Sequence, residues 1–525
     1  MDKIYFGGDI ITLDVPCQAV AVSGGKIVGM GTKEEIFDKF DTYERVDLKG
    51  KTLMPSFIDA HSHFSAAANS LLQAPLDECT TFDEIADRLM KFKKENNVPD
   101  GEWIVAKGYD HNILENHCHP KRDFLDSVIP CNPVVLQHKS GHVGTFNSLG
   151  LEKLGVDENT PSPEGGMIEK ENGKLTGYME ENAFVNYLKK VPMPTIEKFL
   201  DSFAKAQEKY FSYGITTCQE GMFVNQLVPI YRQLIASGIL KIDVSAYAGA
   251  QEADEIFNQM KEYVKDYKDH FRIAGMKIFL DGSPQGRTAW MRKPYLHEAS
   301  YCGYPTMQDK DVENAFRKAA DFNTQILAHC NGDMACEQFL NSIEKVQDKP
   351  PFRPVMIHAQ FLGEDQLDRA KALDVIASFF VAHTYYWGDV HIQNFGTERA
   401  FNISPAASAL KKGVLFTFHQ DAPVIEPDMF ETVWCAVNRV SKKGVVMGEN
   451  QKIDVLDAIK AVTINAAYQY GEEMKKGSIS LGKNADLIIV SDNPLGIDKD
   501  KIKDIKVLET IKNGETVYKA QAFEN

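Results

Sequence analysis

The sequence lacks any apolar run long enough to span a membrane, and its first residues lack a basic segment followed by an apolar core. Basic side chains are also the minority, because 58 Lys and Arg face 74 Asp and Glu, for a net charge of −16. A surface of this charge repels nucleic acid and anionic membranes. We therefore expect a cytoplasmic protein that acts on a small molecule and has no nucleic-acid or membrane partner.

Paired cysteine spacings are absent as well, since the nine cysteines are scattered along 525 residues. This pattern excludes a disulfide-stapled scaffold and is typical of reduced core thiols. Cys330, which follows a histidine, is either a packed thiol, the interpretation we favour, or a site residue. With 43% hydrophobic residues the chain can bury a large core. Its length suits about two to four domains.

The most informative stretch is an apolar run, residues 53–58, that leads into Asp59-Ala60-His61-Ser62-His63. Alternate residues of a β-strand point to the same side, so His61 and His63 can present both imidazoles to one point. Imidazole is a common metal ligand, but a catalytic metal needs further histidines or carboxylates from elsewhere in the chain. The stretch therefore predicts a metal centre completed by other strand ends.

Four later apolar runs carry side chains of the required types. They contain or close on Lys277, His329, His358 and Asp421. A single histidine at a strand end is usually a packing residue, but four such runs in succession after a His-x-His pair indicate a shared site. Each run is typical of a buried parallel strand followed by a helix.

Eight such runs define the predicted fold class, an α/β fold with a TIM-like (β/α)8 barrel. They cover residues 53–61, 214–220, 241–249, 272–281, 324–330, 354–360, 375–383 and 415–421. Helix-like segments follow the runs from residue 214 onward. Catalytic groups of such barrels lie at the carboxyl ends of the strands, and the candidate ligands fall at or near these ends, although Lys277 comes a few residues before its run finishes.

The rest of the chain is predicted to form two further parts. Residues 1–52 and 477–525 contain short alternating segments, too few at either end to enclose a core, so we predict that they pair as one small β-sandwich. The barrel then comprises residues 53–74 and 195–476. Residues 75–194 are long enough for an inserted α+β domain, which we predict to be a lid over the barrel mouth.

Together these motifs resemble the metal-dependent amidohydrolase superfamily. They are similar in particular to the branch related to N-substituted formamide deformylase, amidohydrolase family 3. This resemblance rests on the segment 52–55 followed by 59–63, on Lys277–Ser283 and on Asp421–Val424. The similarity runs almost end to end. It implies a metal-dependent hydrolase on a (β/α)8 barrel, with a composite β-sandwich that ties the chain ends together.

The resemblance also implies the ligands of one or two divalent metal ions. His61 and His63 would hold one ion, and His329 and His358 the other. Histidine and carboxylate ligands suit zinc, iron, manganese or nickel, and zinc is our first candidate.

Lys277 is the group that the resemblance places between the ions. A carboxylated lysine is a carbamate with two oxygen ligands, whereas an unmodified ammonium would be repelled by metal ions. The alternative is a lysine paired with Asp281 or Glu220. Glu181 is a competing carboxylate ligand or a substrate contact.

The implied reaction is hydrolysis of a C–N bond in an amide, a formamide or a related small molecule. Asp421 would contact the metal and accept a proton as metal-activated hydroxide attacks the carbonyl, then pass that proton to the leaving nitrogen. A deaminase is an alternative, but the residues after His329 and His358 lack the Glu that usually serves a ring nitrogen. A non-catalytic metal-binding or regulatory protein on the same barrel is the other alternative.

Four residues are candidate substrate contacts. They are Glu181, Arg287, His383 and His142. Arg287, in the loop after the fourth strand, either binds a substrate carboxylate or forms a surface ion pair. His383 is either a substrate contact or a packed residue of the seventh strand. His142, like His138, is either a lid contact or an ordinary loop histidine.

The remaining histidines rank lower. His419, a departure from the resemblance, is either a core residue or orients Asp421. His111, His117 and His119 have the composition of a metal cluster, but the loop-like sequence around them favours a solvated turn. A homodimer is compatible with the resemblance.

Overall fold

The computed structural model describes residues 2–192, 194–346 and 353–521. The chain divides into two compact units, Met1–Ser65 with Ala206–Asn525 and Ala66–Lys205. Among the helices described, none combines the length and the apolar composition needed to cross a bilayer.

An eight-stranded parallel sheet organises the larger unit. Its strands, in chain order and in their order along the sheet, are β1 Phe57–Ile58, β2 Ile215–Phe223, β3 Asp243–Gly249, β4 Phe271–Phe279, β5 Gln325–Cys330, β6 Val355–His358, β7 Ile376–Phe379 and β8 Phe416–Phe418. Every neighbouring pair runs parallel. Strands β3, β6, β7 and β8 are buried throughout, as expected when both faces of a parallel sheet are covered.

The sheet curls so that its two ends come together beyond β1 and β8. The backbone N–H of Asp421 donates to the carbonyl of His61 at 3.2 Å, and that of His63 donates to the carbonyl of Ala422 at 2.9 Å. The predicted α/β fold with a curled parallel sheet is therefore confirmed. Within the described residues no ladder pairs β8 with β1, so closure into a full (β/α)8 barrel stays a prediction.

The α-helices outside the smaller unit lie mainly between the strands of the parallel sheet and after β8. Their bounds are Lys33–Lys39, Val228–Ala236, Ala253–Gln259, Asp309–Asp321, Asp333–Lys345, Glu364–Ala372, His383–Tyr386, Gly388–Phe395, Thr397–Ala400, Ala406–Lys412, Met429–Asn438, Val455–Ala461 and Ile464–Gln469. Two further helices, Phe64–Ser70 and Ile196–Ser212, cross the bounds of the units. Short 3₁₀ helices span Asn225–Leu227, Lys261–Tyr263, Glu449–Gln451 and Lys499–Asp504.

The helix Asp309–Asp321 shows how the sequence determines which face is buried. Its buried residues are Val312, Ala315, Phe316 and Ala319, at spacings of three, four and seven. These spacings place the apolar side chains on one stripe of an α-helix. The helix therefore packs by one face and leaves its charged residues in solvent.

Strands from both ends of the chain form two smaller sheets in the larger unit. One sheet has the order Lys26–Gly31, Ala19–Ser23, Lys3–Phe6, Glu44–Asp47, and the other Asp9–Ile10, Thr52–Pro55, Leu487–Val490, Val507–Lys512, Glu515–Lys519. One apolar cluster contains Tyr5 and Val22 from the first sheet and Ile511 from the second. That these sheets form a separate β-sandwich domain stays a prediction.

The apolar run before the His-x-His pair serves two sheets. Thr52–Pro55 pairs antiparallel with Leu487–Val490, whereas Phe57–Ile58 belongs to the parallel sheet. The change occurs at Ser56, whose N–H donates to the carbonyl of Asp486 at 3.0 Å. The single strand expected at 53–61 is therefore two strands, because an apolar run does not reveal where its hydrogen-bond partners change.

The smaller unit, Ala66–Lys205, contains a six-stranded mixed sheet. The strand order is Gly166–Glu171, Lys174–Glu181, Val143–Phe146, Val134–His138, Ile104–Tyr109, Ala74–Pro75. Helices Phe82–Glu95, Arg122–Val128, Ser148–Lys153 and Asn182–Leu188 accompany it. The predicted domain bounds of 75–194 and the role as a lid stay predictions.

A buried ion cluster lies at the start of β3. The carboxylate of Asp243 is 2.7 Å from Lys476 Nζ, 2.6 Å from Lys512 Nζ and 2.8 Å from His270 Nδ1. Burial raises the pKa of Asp243, but the two lysines outweigh it and hold that pKa well below its ordinary value. Since Lys512 closes the strand Val507–Lys512, the cluster joins that sheet to the parallel sheet.

Replacing Asp243 with Asn should lower the free energy of unfolding by about 3–5 kcal/mol, because two buried lysines lose the carboxylate that they share, and among the described residues only Lys476 keeps another, Glu472 at 3.4 Å. Chemical denaturation followed by circular dichroism measures the change. The matched control is Asp266→Asn, at an exposed aspartate, which should change stability by less than about 0.5 kcal/mol. Equal losses in the two variants would contradict the assignment.

Candidate metal centre

The carboxyl edge of the parallel sheet brings the six predicted ligands together. They are His61 and His63 after β1, Lys277 in β4, His329 in β5, His358 at the end of β6 and Asp421 after β8. Parallel strands present their carboxyl ends at one edge, so side chains from distant parts of the chain meet there.

Asp421 lies at the centre of this group. Its Oδ1 is 3.4 Å from His61 Nε2 and 3.4 Å from His63 Nε2, and its Oδ2 is 4.0 Å from His358 Nε2. Oδ1 is buried and has no hydrogen-bond partner among the described residues. Ligand atoms of His61, His358 and Asp421 all lie within 4.8 Å of one another. A partnerless buried carboxylate oxygen beside imidazole nitrogens fits a divalent cation.

Three imidazoles of the site, those of His61, His329 and His358, are neutral. Burial lowers the pKa of His61 and of His358 well below the ordinary value, and burial followed by the nearby Lys277 lowers that of His329 to about 4. Burial raises the pKa of Asp421, but His63, His419 and Lys277 together outweigh this and keep the pKa below its ordinary value. At neutral pH the site therefore offers imidazole lone pairs and one carboxylate, which is what a metal ligand set requires.

Lys277 is buried beside the first histidine. Its Nζ is 3.3 Å from His61 Nε2, and burial lowers its pKa to about 7. The two carboxylates considered as its partners are engaged elsewhere. Asp281 accepts the backbone N–H groups of Trp290, Asn331 and Gly332, and Glu220 accepts from Ser65 N–H and Tyr231 O–H. Within the described residues Lys277 forms no ion pair with a carboxylate, although the charge of Asp421 acts on it.

Three residues of the site have a left-handed backbone. The φ angles are +73° at His358, +43° at Ala359 and +55° at Asp421. Non-glycine residues adopt this region only when the surrounding structure imposes it, at a cost of about 1–3 kcal/mol each. Two of the predicted ligands are thus held in directions that an ordinary strand end would not give them.

Gln219 determines which nitrogen of His61 faces the site. Its Oε1 lies 2.6 Å from His61 Nδ1, and its Nε2 donates to Ala60 O and to the hydroxyl of Tyr470. An amide oxygen can only accept, so His61 carries its proton on Nδ1 and keeps the Nε2 lone pair free. Gln219 was not among the predicted site residues, because a glutamine among the other polar side chains of β2 gives no local sign of this contact.

His419 plays the same part for His358. Its Nε2 is 3.1 Å from His358 Nδ1, and its Nδ1 is 2.9 Å from Ser378 Oγ. Both contacts are hydrogen bonds if His358 and His419 each carry the proton on Nδ1. The lone pair of His358 Nε2 then lies on the side of Asp421. Of the two alternatives for His419, a core residue or a residue that orients Asp421, the structure shows a fully buried side chain, and its ring contacts His358.

The other predicted substrate contacts have partners of their own. Arg287 forms an ion pair with Glu298 at 2.8 Å, both in the loop after β4. His383 lies in the helix His383–Tyr386, beyond the seventh strand, and is buried with its Nδ1 3.0 Å from His391 Nε2. The strand placement of His383 was therefore incorrect, because β7 ends at Phe379.

His142 and Glu181 lie in the smaller unit. His142 Nδ1 is 3.1 Å from Glu181 Oε2, and both side chains are exposed. They are polar, accessible and paired with each other. Their roles as substrate contacts, and that of Glu181 as a ligand, stay predictions.

Comparison with known proteins gives consistent similarities. Residues 44–518 match a family model described as the Amidohydrolase family. The chain is 29% identical over 536 residues to a Bacillus subtilis (strain 168) protein that carries the name amidohydrolase YtcJ, with 99% of each chain covered. It is 26% identical over 544 residues to N-substituted formamide deformylase of Arthrobacter pascens, with 98% of each covered.

A solved structure shows the same similarity in three dimensions. The structure of an uncharacterized metal-dependent hydrolase from Pyrococcus horikoshii OT3 superposes with a TM-score of 0.78 at 26% identity. The match covers 95% of this chain and 99% of that one.

Replacing Gln219 with Leu should weaken divalent-metal binding about 10- to 100-fold, because His61 loses the acceptor that fixes its tautomer. Competition with a chromophoric chelator measures the affinity. Gln219→Glu keeps an acceptor oxygen and should recover part of the loss. The control is Gln207→Leu, a buried glutamine that bonds the backbone of Lys241 and Ile242. An unchanged affinity in Gln219→Leu would contradict the assignment.

Proposed function

The chain belongs to the amidohydrolase family, and on that premise we propose that it hydrolyses a C–N bond in an amide, a formamide or a related small molecule. The observation that carries the proposal is the buried Oδ1 of Asp421, which has no hydrogen-bond partner in the described part of the chain and faces two imidazole nitrogens at 3.4 Å. The name of the Arthrobacter pascens relative adds support for a formamide or other amide as substrate.

His61, His63 and Asp421 are the residues that we propose to hold one divalent cation, and His329 and His358 a second. His358 Nε2 and His329 Nδ1 lie 3.1 Å apart, which supports a shared ion. Such a cation supplies Lewis acidity, which polarises a carbonyl and makes water a better nucleophile. Zinc is our first candidate, because imidazole and carboxylate are its usual ligands in catalytic sites.

Lys277 is proposed to carry a carbamate. The side chain is buried, lies 3.3 Å from His61 and has no carboxylate partner among the described residues. Carboxylation would convert the one buried cation of this group into an anion with two ligand oxygens. The modification would therefore remove the repulsion between the lysine and a metal ion.

Asp421 moves the proton in the proposed reaction. Its pKa lies below the ordinary value, so the carboxylate is ionised and can accept a proton from the attacking water. The same carboxyl group then gives that proton to the leaving nitrogen, and the products are a carboxylic acid and an amine. Its contacts with His61 and His63 hold the carboxylate in position through both steps.

Ring deamination and a purely binding role are the alternatives. Cys330 and Asn331 follow His329, and Ala359 and Gln360 follow His358, so neither histidine is followed by a glutamate for a ring nitrogen. Asn331 instead places its Nδ2 2.9 Å from His329 Nε2. The intact set of ligand types favours catalysis over binding alone.

Asp421→Asn should lower turnover about 10²- to 10⁴-fold while the fold survives, because the amide cannot accept the proton. Amine release from a panel of N-substituted formamides and N-acyl amides measures turnover of the metal-loaded protein. Asp321→Asn, at an exposed helix residue, is the control. Full activity in Asp421→Asn would sink the mechanism, and no turnover by the wild type across the panel would favour the binding role.

Lys277→Ala should lower the metal content from about two ions per chain to one or none. Elemental analysis of protein purified without chelator measures the content, and Lys371→Ala, at an exposed lysine, is the control. Intact native mass of the wild type should include a carbon dioxide adduct that acid removes. One ion per chain in both the variant and the wild type would point to a mononuclear site with Asp421 or Glu181 as the carboxylate.

A further inference from the structure

The smaller unit has its own cluster of metal-type side chains at one edge of its sheet. The strands Ile104–Tyr109 and Val134–His138 run parallel, and His138 lies opposite Tyr109. A register shift between Gln137 and His138 produces this pairing. Asp110 and His111 follow Tyr109 directly, so three potential ligands emerge at the same edge.

The three ligand atoms are spaced as a bound ion requires. His111 Nδ1 is 3.2 Å from His138 Nε2, which is 3.5 Å from Asp110 Oδ1, and the third separation, from His111 Nδ1 to Asp110 Oδ1, is 4.0 Å. Zinc binds nitrogen and oxygen at about 2.0–2.2 Å, so neighbouring ligands of a tetrahedral ion are about 3.3 Å apart. From this geometry we propose that Asp110, His111 and His138 form a further divalent cation site in the unit Ala66–Lys205.

Neighbouring groups orient the three ligands. Asn112 donates from its backbone N–H and from its Nδ2 to Asp110 Oδ1, each at 2.9 Å. The ring of His119 stacks on that of His111 with the centroids 4.2 Å apart, and the hydroxyl of Tyr109 lies 3.0 Å from His119 Nδ1. Such outer contacts fix ligand directions in metal sites.

The site is accessible from solvent. The side chain of His138 is 10% exposed, but those of Asp110 and His111 are 23% and 33% exposed. One position of a tetrahedral ion is left open by three protein ligands. Two imidazoles and one carboxylate suit zinc, cobalt, nickel or copper rather than magnesium or calcium, which prefer oxygen ligands.

Ser140 makes this an exchangeable site. Its hydroxyl is 2.9 Å from His138 Nδ1, and its backbone N–H donates to the same atom at 3.0 Å. A cation bound to Nε2 requires that His138 carry its proton on Nδ1. The Ser140 hydroxyl can accept a hydrogen bond from this Nδ1–H, whereas the Ser140 backbone N–H can donate only to an unprotonated Nδ1. Cation binding therefore replaces the hydrogen bond from the Ser140 N–H to Nδ1 with one from Nδ1–H to the Ser140 hydroxyl. We expect the ion to be bound weakly enough for a chelator to remove it easily.

The first test compares zinc binding by full-length wild type, His138→Ala and His117→Ala, in competition with a chromophoric chelator. His117 is an exposed histidine of the same segment, outside the cluster. We expect His138→Ala to bind one ion per chain fewer than the wild type and His117→Ala to bind the same number. Equal numbers in all three proteins would overturn the proposal.

Cobalt provides a spectroscopic form of the same test. The visible absorption of a cobalt ion bound by two imidazoles and a carboxylate should disappear in part in His138→Ala and in Asp110→Asn. If circular dichroism shows that His138→Ala does not fold, the spectrum of Asp110→Asn is compared with that of the wild type, because Asp110 is more exposed than His138. The same cobalt spectrum in wild type and folded variants would contradict the site.

Ser140→Ala tests the tautomer argument. Loss of the hydroxyl acceptor should weaken binding of this ion about 10- to 100-fold, with the fold intact. Ser127→Ala, at an exposed helix serine, should leave the affinity unchanged. If Ser140→Ala binds the ion as tightly as the wild type, His138 does not ligate it through Nε2.

Discussion

A buried carboxylate oxygen without a hydrogen-bond donor is the constraint on which the site depends. Burying an ionised carboxylate without a partner costs several kcal/mol, so the Oδ1 of Asp421 needs a cation or a donor. The imidazoles of His61 and His358 beside it are neutral, because burial lowers the pKa of each well below its ordinary value. A divalent cation is the partner that satisfies the carboxylate and the free imidazole nitrogens together.

Buried side chains inside the parallel sheet hold the backbone next to the candidate ligands in place. Gln219 and Gln469 both donate to the carbonyl of Ala60, and the hydroxyl of Tyr470 donates to that of Asp59. Gln469 also accepts from Thr417 of β8. The segment around residues 469–470 thus ties the chain before His61 to the strand before Asp421, and the two ends of the curled sheet are fixed relative to each other.

The grouping of the candidate ligands was predictable because it follows local rules, whereas the contacts that support them were not. A spacing of two in an extended segment aligns His61 with His63, and later apolar runs predicted the other candidates at or near their ends. Gln219 supports His61 from 158 positions away, a contact that no local pattern encodes. The Asp110 cluster was missed for a similar reason, since His138 reaches it from a neighbouring strand through an irregular register. His383 was placed on a strand because apolar residues continue after β7 ends.

An anomalous-scattering measurement on crystals grown with zinc would show directly whether Asp421 and the histidines beside it hold an ion. Data collected on both sides of the zinc absorption edge locate the ion independently of any assay. We expect a zinc peak within bonding distance of His61 Nε2, His63 Nε2 and Asp421 Oδ1. Crystals grown with zinc that show no peak at these three atoms would contradict it, because the buried Oδ1 of Asp421 would then have no cation as a partner.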